Sequence, residues 1–79
     1  MPRVLLFGPL RDLAGWRERE MEAPSLSELR ALLTREDAAL GAALSASGVQ
    51  VAVDQALVRG DLMLSAASEV AFLPPMSGG

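Results

Sequence analysis

The chain has no cysteine, histidine, tyrosine or lysine, and all 7 of its basic residues are arginine. Without cysteine there is neither a disulfide nor a thiolate metal site. The missing side chains are also the commonest general base, the thiolate nucleophile, the Schiff-base amine and the phenolic acid. Serines remain, but no histidine or lysine is present to activate one. Carboxylates alone can bind a hard cation, yet no acidic, glycine-containing loop of the EF-hand type occurs. These absences argue against a self-sufficient enzyme and leave no metal site to nominate. Composition drift toward Arg, Ala and Leu is explanation enough for the missing lysine.

Long apolar runs are missing too. Val4 to Phe7 is too short for the core of a secretory signal, and Arg11 and Asp12 follow almost at once. Nothing approaches the roughly 20 apolar residues of a membrane helix. With no address in view, the default expectation is a cytoplasmic protein with no membrane partner. A net charge of −3 argues against a nucleic-acid partner held by phosphate neutralisation.

What is present suits one small domain. The 79 residues are 51% hydrophobic and 22% charged, the balance of a compact globule. A chain of this size buries only about 60% of its unfolded surface, so its core has to be efficient.

Arg3 to Phe7 reads as a first strand, stopped by Gly8-Pro9. Leu10 to Ala14 reads as a helical turn ended by Gly15. Trp16 to Glu22 alternates charge and bulk and reads as a second strand, the hairpin partner of the first. Within it, Arg17, Glu18, Arg19 and Glu20 are expected on a solvated face, with Trp16 anchoring the hairpin or the core. Ser25-Leu26-Ser27-Glu28 has the form of a capping box, with reciprocal bonds between the Ser25 and Glu28 side chains and backbone N–H groups. Leu26, Leu29, Leu32 and Leu33 follow at helical spacing, predicting a helix from Ser25 to Thr34. Asp37 to Ser45 is a second, Ala-rich helical piece that Gly41 weakens and Gly48 closes off. Val49 to Val53 alternates as a strand, Asp54-Gln55 turns into Ala56-Leu57-Val58, and Gly60-Asp61 turns again. Glu69 to Leu73 is the last strand, ended by Pro74-Pro75 because proline cannot donate to a ladder. One principal helix against one mixed sheet, in the order β-β-α-(α)-β-β-β, is the α+β arrangement of a β-grasp. The domain is assigned to residues 1–73 and a flexible Gly-Gly tail to residues 74–79.

That tail, Pro-Pro-Met-Ser-Gly-Gly, concentrates the chemistry. Extended, residues 74–79 reach about 20 Å at ~3.3 Å per residue. Pro74 and Pro75 stiffen the exit. Gly78 and Gly79 carry no side chain, so the tip can thread a channel that excludes a Cβ, with Ser77 and Met76 following. A terminal carboxylate is ionised at neutral pH and is a poor electrophile until activated, most simply as an acyl-adenylate. A Gly-Gly ending alone also fits a frayed terminus. Placed six residues beyond the last strand of a β-grasp, it points to a carboxyl-terminal carrier.

The ending EVAFLPPMSGG (Glu69 to Gly79) resembles the signature of the molybdopterin synthase small-subunit family. The opening RVLLFGPLRDLAG and the central VAVDQALV resemble it at the matching distances, so the likeness covers essentially the whole chain. The resemblance implies a ubiquitin-like β-grasp sulfur carrier, a non-catalytic subunit of a heterotetrameric sulfurtransferase. Gly79 would be adenylated by an E1-like adenylyltransferase, converted to a thiocarboxylate, and inserted into the large catalytic subunit. Its sulfur would go to cyclic pyranopterin monophosphate to build the dithiolene. No cofactor is implied on the chain itself; ATP is used by the activating partner. The chain departs from the family pattern at Asp54, where Asn is usual, at Ala66-Ala67-Ser68 in place of an Asp-Gly-Asp type of turn, and at Met76. These departures bear on partner fit and on how tight the turn is. Carriers for thiazole synthesis or tRNA thiolation share the fold and tail but typically lack the LPP-x-SGG ending. A ubiquitin-like protein modifier is the rival of another class.

Strand alternation supplies one further expectation. If Val4, Leu6, Val70 and Phe72 face the helix, then Leu5, Phe7, Leu57, Ala71 and Leu73 form an apolar patch beside the tail. Such a patch marks a partner interface, unless the second helical piece covers it.

Overall fold

The computed structural model describes residues 1–75 of the chain. β1 (Arg3–Leu6) buries Val4 and Leu6 and leaves Leu5 half-buried. Gly8, at φ +56, turns the chain away immediately afterwards, so Phe7, expected in the strand, falls outside it. α1 (Pro9–Ala14) starts on a proline, whose missing N–H is not needed there, and ends at left-handed Gly15, which donates to the Arg11 carbonyl.

β2 (Glu18–Glu20) pairs antiparallel with β1 and is shorter than the expected Trp16 to Glu22. Single bonds from Leu6 N–H to Arg17 O and from Met21 N–H to Pro2 O extend the pairing at each end. Beyond them Met21 is buried in the core and Trp16 packs against its edge, and these contacts bend the chain out of strand geometry. The four charged residues do not share one solvated face. Arg19 stands opposite Val4 and turns toward the helices, where it pairs with Glu36 at 2.8 Å and lies 5.0 Å from the Trp16 ring centroid.

α2 (Leu26–Glu36) runs two residues past the predicted end, to its boundary at Asp37. The Glu28 N–H donates to Ser25 Oγ at 3.2 Å, so the forward half of the capping box forms. The return bond is absent among the described residues. Other N–H groups of the first turn are met by groups far along the chain. Leu26 N–H donates to the Leu62 carbonyl at 2.9 Å, and Ser27 N–H and Oγ donate to the two oxygens of Asp61 at 2.8 Å each. The first three N–H groups of α2 are therefore all satisfied.

α3 (Ala38–Leu44) begins on Asp37, whose carboxylate accepts from Leu40 N–H at 3.1 Å. Gly41 is buried at the crossing with α2, where an added Cβ would lie 2.7 Å from Thr34 Cβ and Cγ2 and closer still to its hydroxyl. The glycine thus permits the close approach of the two helices, where its propensity alone predicts a weak point.

β3 (Gln50–Val53) and β4 (Ala56–Val58) form a hairpin through Asp54 and Gln55, at φ 51 and 71. Two left-handed central residues make the type I′ turn that matches strand twist. Asp54 also accepts from Glu69 N–H at 2.9 Å and donates its own N–H to Glu69 O at 2.8 Å, tying the turn to β5 (Glu69–Leu73). The preceding turn is closed by Ser65 N–H donating to Ser68 Oγ at 2.9 Å and by Ser68 N–H donating to Ser65 O at 3.1 Å. The Ala66-Ala67-Ser68 turn thus closes through the Ser68 hydroxyl and the Ser65 carbonyl.

The sheet order is β2-β1-β5-β3-β4, with β5 parallel to β1 and antiparallel to β3. The last strand is therefore central, as its apolar composition predicts. Phe72, Leu29, Leu33, Leu40, Val4 and Val70 form the most deeply buried layer between sheet and helices.

Candidate functional site

β5 leaves the middle of the sheet at Leu73, and the next two residues are held from both sides. Gly8 faces Pro74, so close that an added Cβ would lie 3.2 Å from Pro74 Cγ. Gly48 faces Pro75, with the corresponding distance 2.9 Å to Pro75 Cβ. Both glycines have positive φ, at +56 and +91. The loops after β1 and after α3 thus form two small seats for a diproline whose own φ is restricted. They fix the direction in which the chain leaves the domain. Met76, Ser77, Gly78 and Gly79 lie outside the described residues.

The sheet face opposite the helices carries the residues expected in the patch. Pairing places Glu18, Leu5, Ala71, Ala52 and Leu57 in one row across all five strands. One row nearer the exit, Leu73 stands opposite Gln50, with Phe7 just beyond the end of β1. Phe7 is 45% exposed and Leu57 64%, while Leu5, Ala71 and Leu73 are half-buried. α3 packs against α2 and α1, on the other side of the sheet, and does not cover this face. At the opposite end of the same face Arg3 pairs with Glu18 at 3.4 Å and with Glu69 at 3.7 Å. The open face is apolar beside the exit and ionic away from it.

Two grooves border the apolar end. One, of about 280 Å³, is lined by Leu5, Phe7, Arg11, Arg17 and Glu18. The other, of about 450 Å³, includes Arg30, Gly48, Gln50, Leu57 and Arg59. Among the described residues no cluster of carboxylates has the makings of a metal site. The shifted titrations lie elsewhere. The Arg19 guanidinium holds Glu36 below the ordinary carboxylate range, and Glu36 in turn raises Arg19. Asp61 is lowered by the Ser27 N–H, then by its hydroxyl, with a smaller contribution from Leu62 N–H. The described part of the site offers contact surface and aim, and no acid–base pair stands at the exit. Sequence reasoning missed the two glycine seats, because Gly48 reads equally well as the end of a helix.

A five-stranded mixed sheet, with its last strand central and its helices on one face, defines the ubiquitin-like β-grasp class. The fold superimposes on small archaeal modifier protein 1 of Methanosarcina acetivorans with a TM-score of 0.88, at 22% identity, over 99% of this chain and 95% of that one. It also matches a chain in the complex of subunits 1 and 2 of molybdopterin-converting factor from Helicobacter pylori, with a TM-score of 0.74, 25% identity, and 99% and 97% coverage. Within that class the ThiS family model matches residues 4–79, and the chain belongs to the ThiS family. Among curated relatives, it is 36% identical to the molybdopterin synthase sulfur carrier subunit of Escherichia coli over 81 residues, covering 100% of both chains.

Proposed function

We propose that this chain is the sulfur carrier and small subunit of a molybdopterin synthase, with the α-carboxyl of Gly79 as its working group. The observation that carries the reading is the end-to-end match to the sulfur carrier subunit of Escherichia coli, at 36% identity. The family match runs through residue 79, which supports placing the function at Gly78 and Gly79. The carboxylate displaces pyrophosphate from ATP on an E1-like partner and forms an acyl-adenylate. A sulfur nucleophile then displaces AMP, leaving a thiocarboxylate whose sulfur goes to cyclic pyranopterin monophosphate in the large subunit. The chain supplies no side chain to these steps. Its part is to present an unhindered carboxyl end and a surface that holds the partner while the tip is buried. The complex in which the Helicobacter pylori neighbour occurs supports a large-subunit partner. The apolar end of the open face, with Phe7, Leu5, Leu57, Ala71 and Leu73, is the surface we assign to it.

The test is mass spectrometry after incubation with ATP, a sulfur donor and the E1-like partner. One oxygen is expected to be replaced by sulfur at Gly79. With the large subunit and cyclic pyranopterin monophosphate, the thiocarboxylated chain is expected to yield molybdopterin. The ThiS family match also fits a carrier for thiazole synthesis. Sulfur delivery to that pathway alone would keep the carrier and reject the assignment. Full activity of a chain extended beyond Gly79, without trimming, would reject the carrier itself.

A further inference from the structure

The larger groove beside the exit has a feature that the apolar face does not explain. It is lined by two arginines and no acid: Arg30 from α2 and Arg59 just after β4. Among the described residues neither is in an ion pair, although the chain as a whole is acidic at −3. Arg30 is held in place, its guanidinium 5.4 Å from the ring centroid of fully buried Phe72 and its Nη1 donating to the Leu44 carbonyl at 3.4 Å. Arg59 is exposed and makes no side-chain hydrogen bond among the described residues. Asp61 lines the adjoining cavity with Arg30, but both of its oxygens already accept from Ser27.

The position of this groove says what it meets. Leu57 belongs both to its wall and to the apolar row of the open face, and Gly48 belongs both to its wall and to the seat of Pro75. A protein that covers the apolar face as far as Leu57 and takes in the tail past Gly48 reaches the edge of the groove. Interfaces of this kind have an apolar centre and a polar rim, and are enriched in arginine relative to the rest of the surface. We propose that the Arg30–Arg59 groove is a cationic docking rim for carboxylate side chains of the large subunit, guiding its approach and fixing its register on the sheet. This inference rests on the proposed function for the identity of that partner. Its charge sign follows from the two unpaired guanidiniums alone.

Rim charges act mainly on association rate and on its salt dependence. The experiment is stopped-flow association of the full chain with the large subunit at several salt concentrations, for wild type, Arg59→Gln, Arg59→Glu and the charge-matched control Arg35→Glu. Arg35 is exposed on α2 and lines neither groove. Arg59→Glu is expected to slow association about tenfold at low salt, with Arg59→Gln intermediate and Arg35→Glu near wild type. The differences should close toward ~1 M salt, where screening acts within about 3 Å. Circular dichroism confirms that each variant is folded. Equal effects of Arg59→Glu and Arg35→Glu, or none from either, overturn the docking rim while leaving the proposed function intact. Absence of wild-type association overturns that function and the inference with it.

Discussion

Gly48 and Pro75 are in contact across the tail exit, and the contact exists only because Gly48 has no Cβ. A Cβ there would sit 2.9 Å from Pro75 Cβ, on a backbone at φ +91. Gly60 has a comparable φ of +76 but nothing within 4 Å of its would-be Cβ. The pair separates backbone strain from displacement of the tail. Gly48→Ala and Gly60→Ala are each expected to lose about 1–2 kcal/mol from left-handed strain, measured by denaturant unfolding. Only Gly48→Ala should also slow thiocarboxylation, because only there is Pro75 pushed aside. Equal thiocarboxylation rates in the two variants would show that the seat does not aim the tail.

Helix α3 supplies a second test. Gly→Ala inside a helix ordinarily stabilises by about 1 kcal/mol. Here Gly41→Ala would force Thr34 away, its Cβ and Cγ2 being 2.7 Å from the new methyl. We expect a net loss of about 1–3 kcal/mol, the range of overpacked cores. Thr34→Ala in the same chain should recover part of it, since the hydroxyl and the γ-methyl are removed. A gain in stability from Gly41→Ala alone would mean that α2 and α3 separate without cost.

The Asp61–Ser27 contact makes a prediction about pH. Asp61 is lowered from the ordinary carboxylate range by hydrogen bonds from Ser27 N–H and hydroxyl. A group depressed in the folded state stabilises above its unfolded pKa, near 3.9, and loses that contribution as pH falls through the lower folded value. Asp61→Asn should therefore lower the unfolding midpoint at neutral pH, with the difference from wild type shrinking as the solution is acidified below about pH 4. Added salt should change it little, because the bonds run to a backbone amide and a hydroxyl. Thermal unfolding across pH reads this directly.

Phe7 and Leu73 test the open face. Both lie outside the core, Phe7 at 45% exposure and Leu73 half-buried beside it. Phe7→Arg or Leu73→Arg would place an unpaired charge in a desolvated contact, at an expected cost of several kcal/mol in large-subunit binding. Unfolding midpoints should stay close to wild type. Calorimetric titration checks the claim, and unchanged affinity in the folded double variant would remove this face from the interface.

What the sequence alone determined is whatever depends on neighbours in the chain. Period-two alternation in Gln50–Val53 and Glu69–Leu73, the leucine spacing of Leu26–Glu36, and the stop at Pro74 all follow from local geometry. They suffice to reach a β-grasp, to place β5 inside the sheet, and to sort Val4 and Leu6 from Leu5. What the tertiary structure decided are contacts between distant segments, where local pattern carries no information. In the first turn of α2 the Ser27 N–H is met by Asp61, 34 residues away, a partner that no capping-box pattern predicts. Trp16 and Met21 are drawn to the core and shorten β2, against the alternation of the charges between them. Gly41, Gly8 and Gly48 look alike in sequence as breakers or stops. Only the partners brought against them, Thr34, Pro74 and Pro75, show that each makes room for a close approach. A missing side chain has meaning only in relation to what would collide with it, and that is set by the fold.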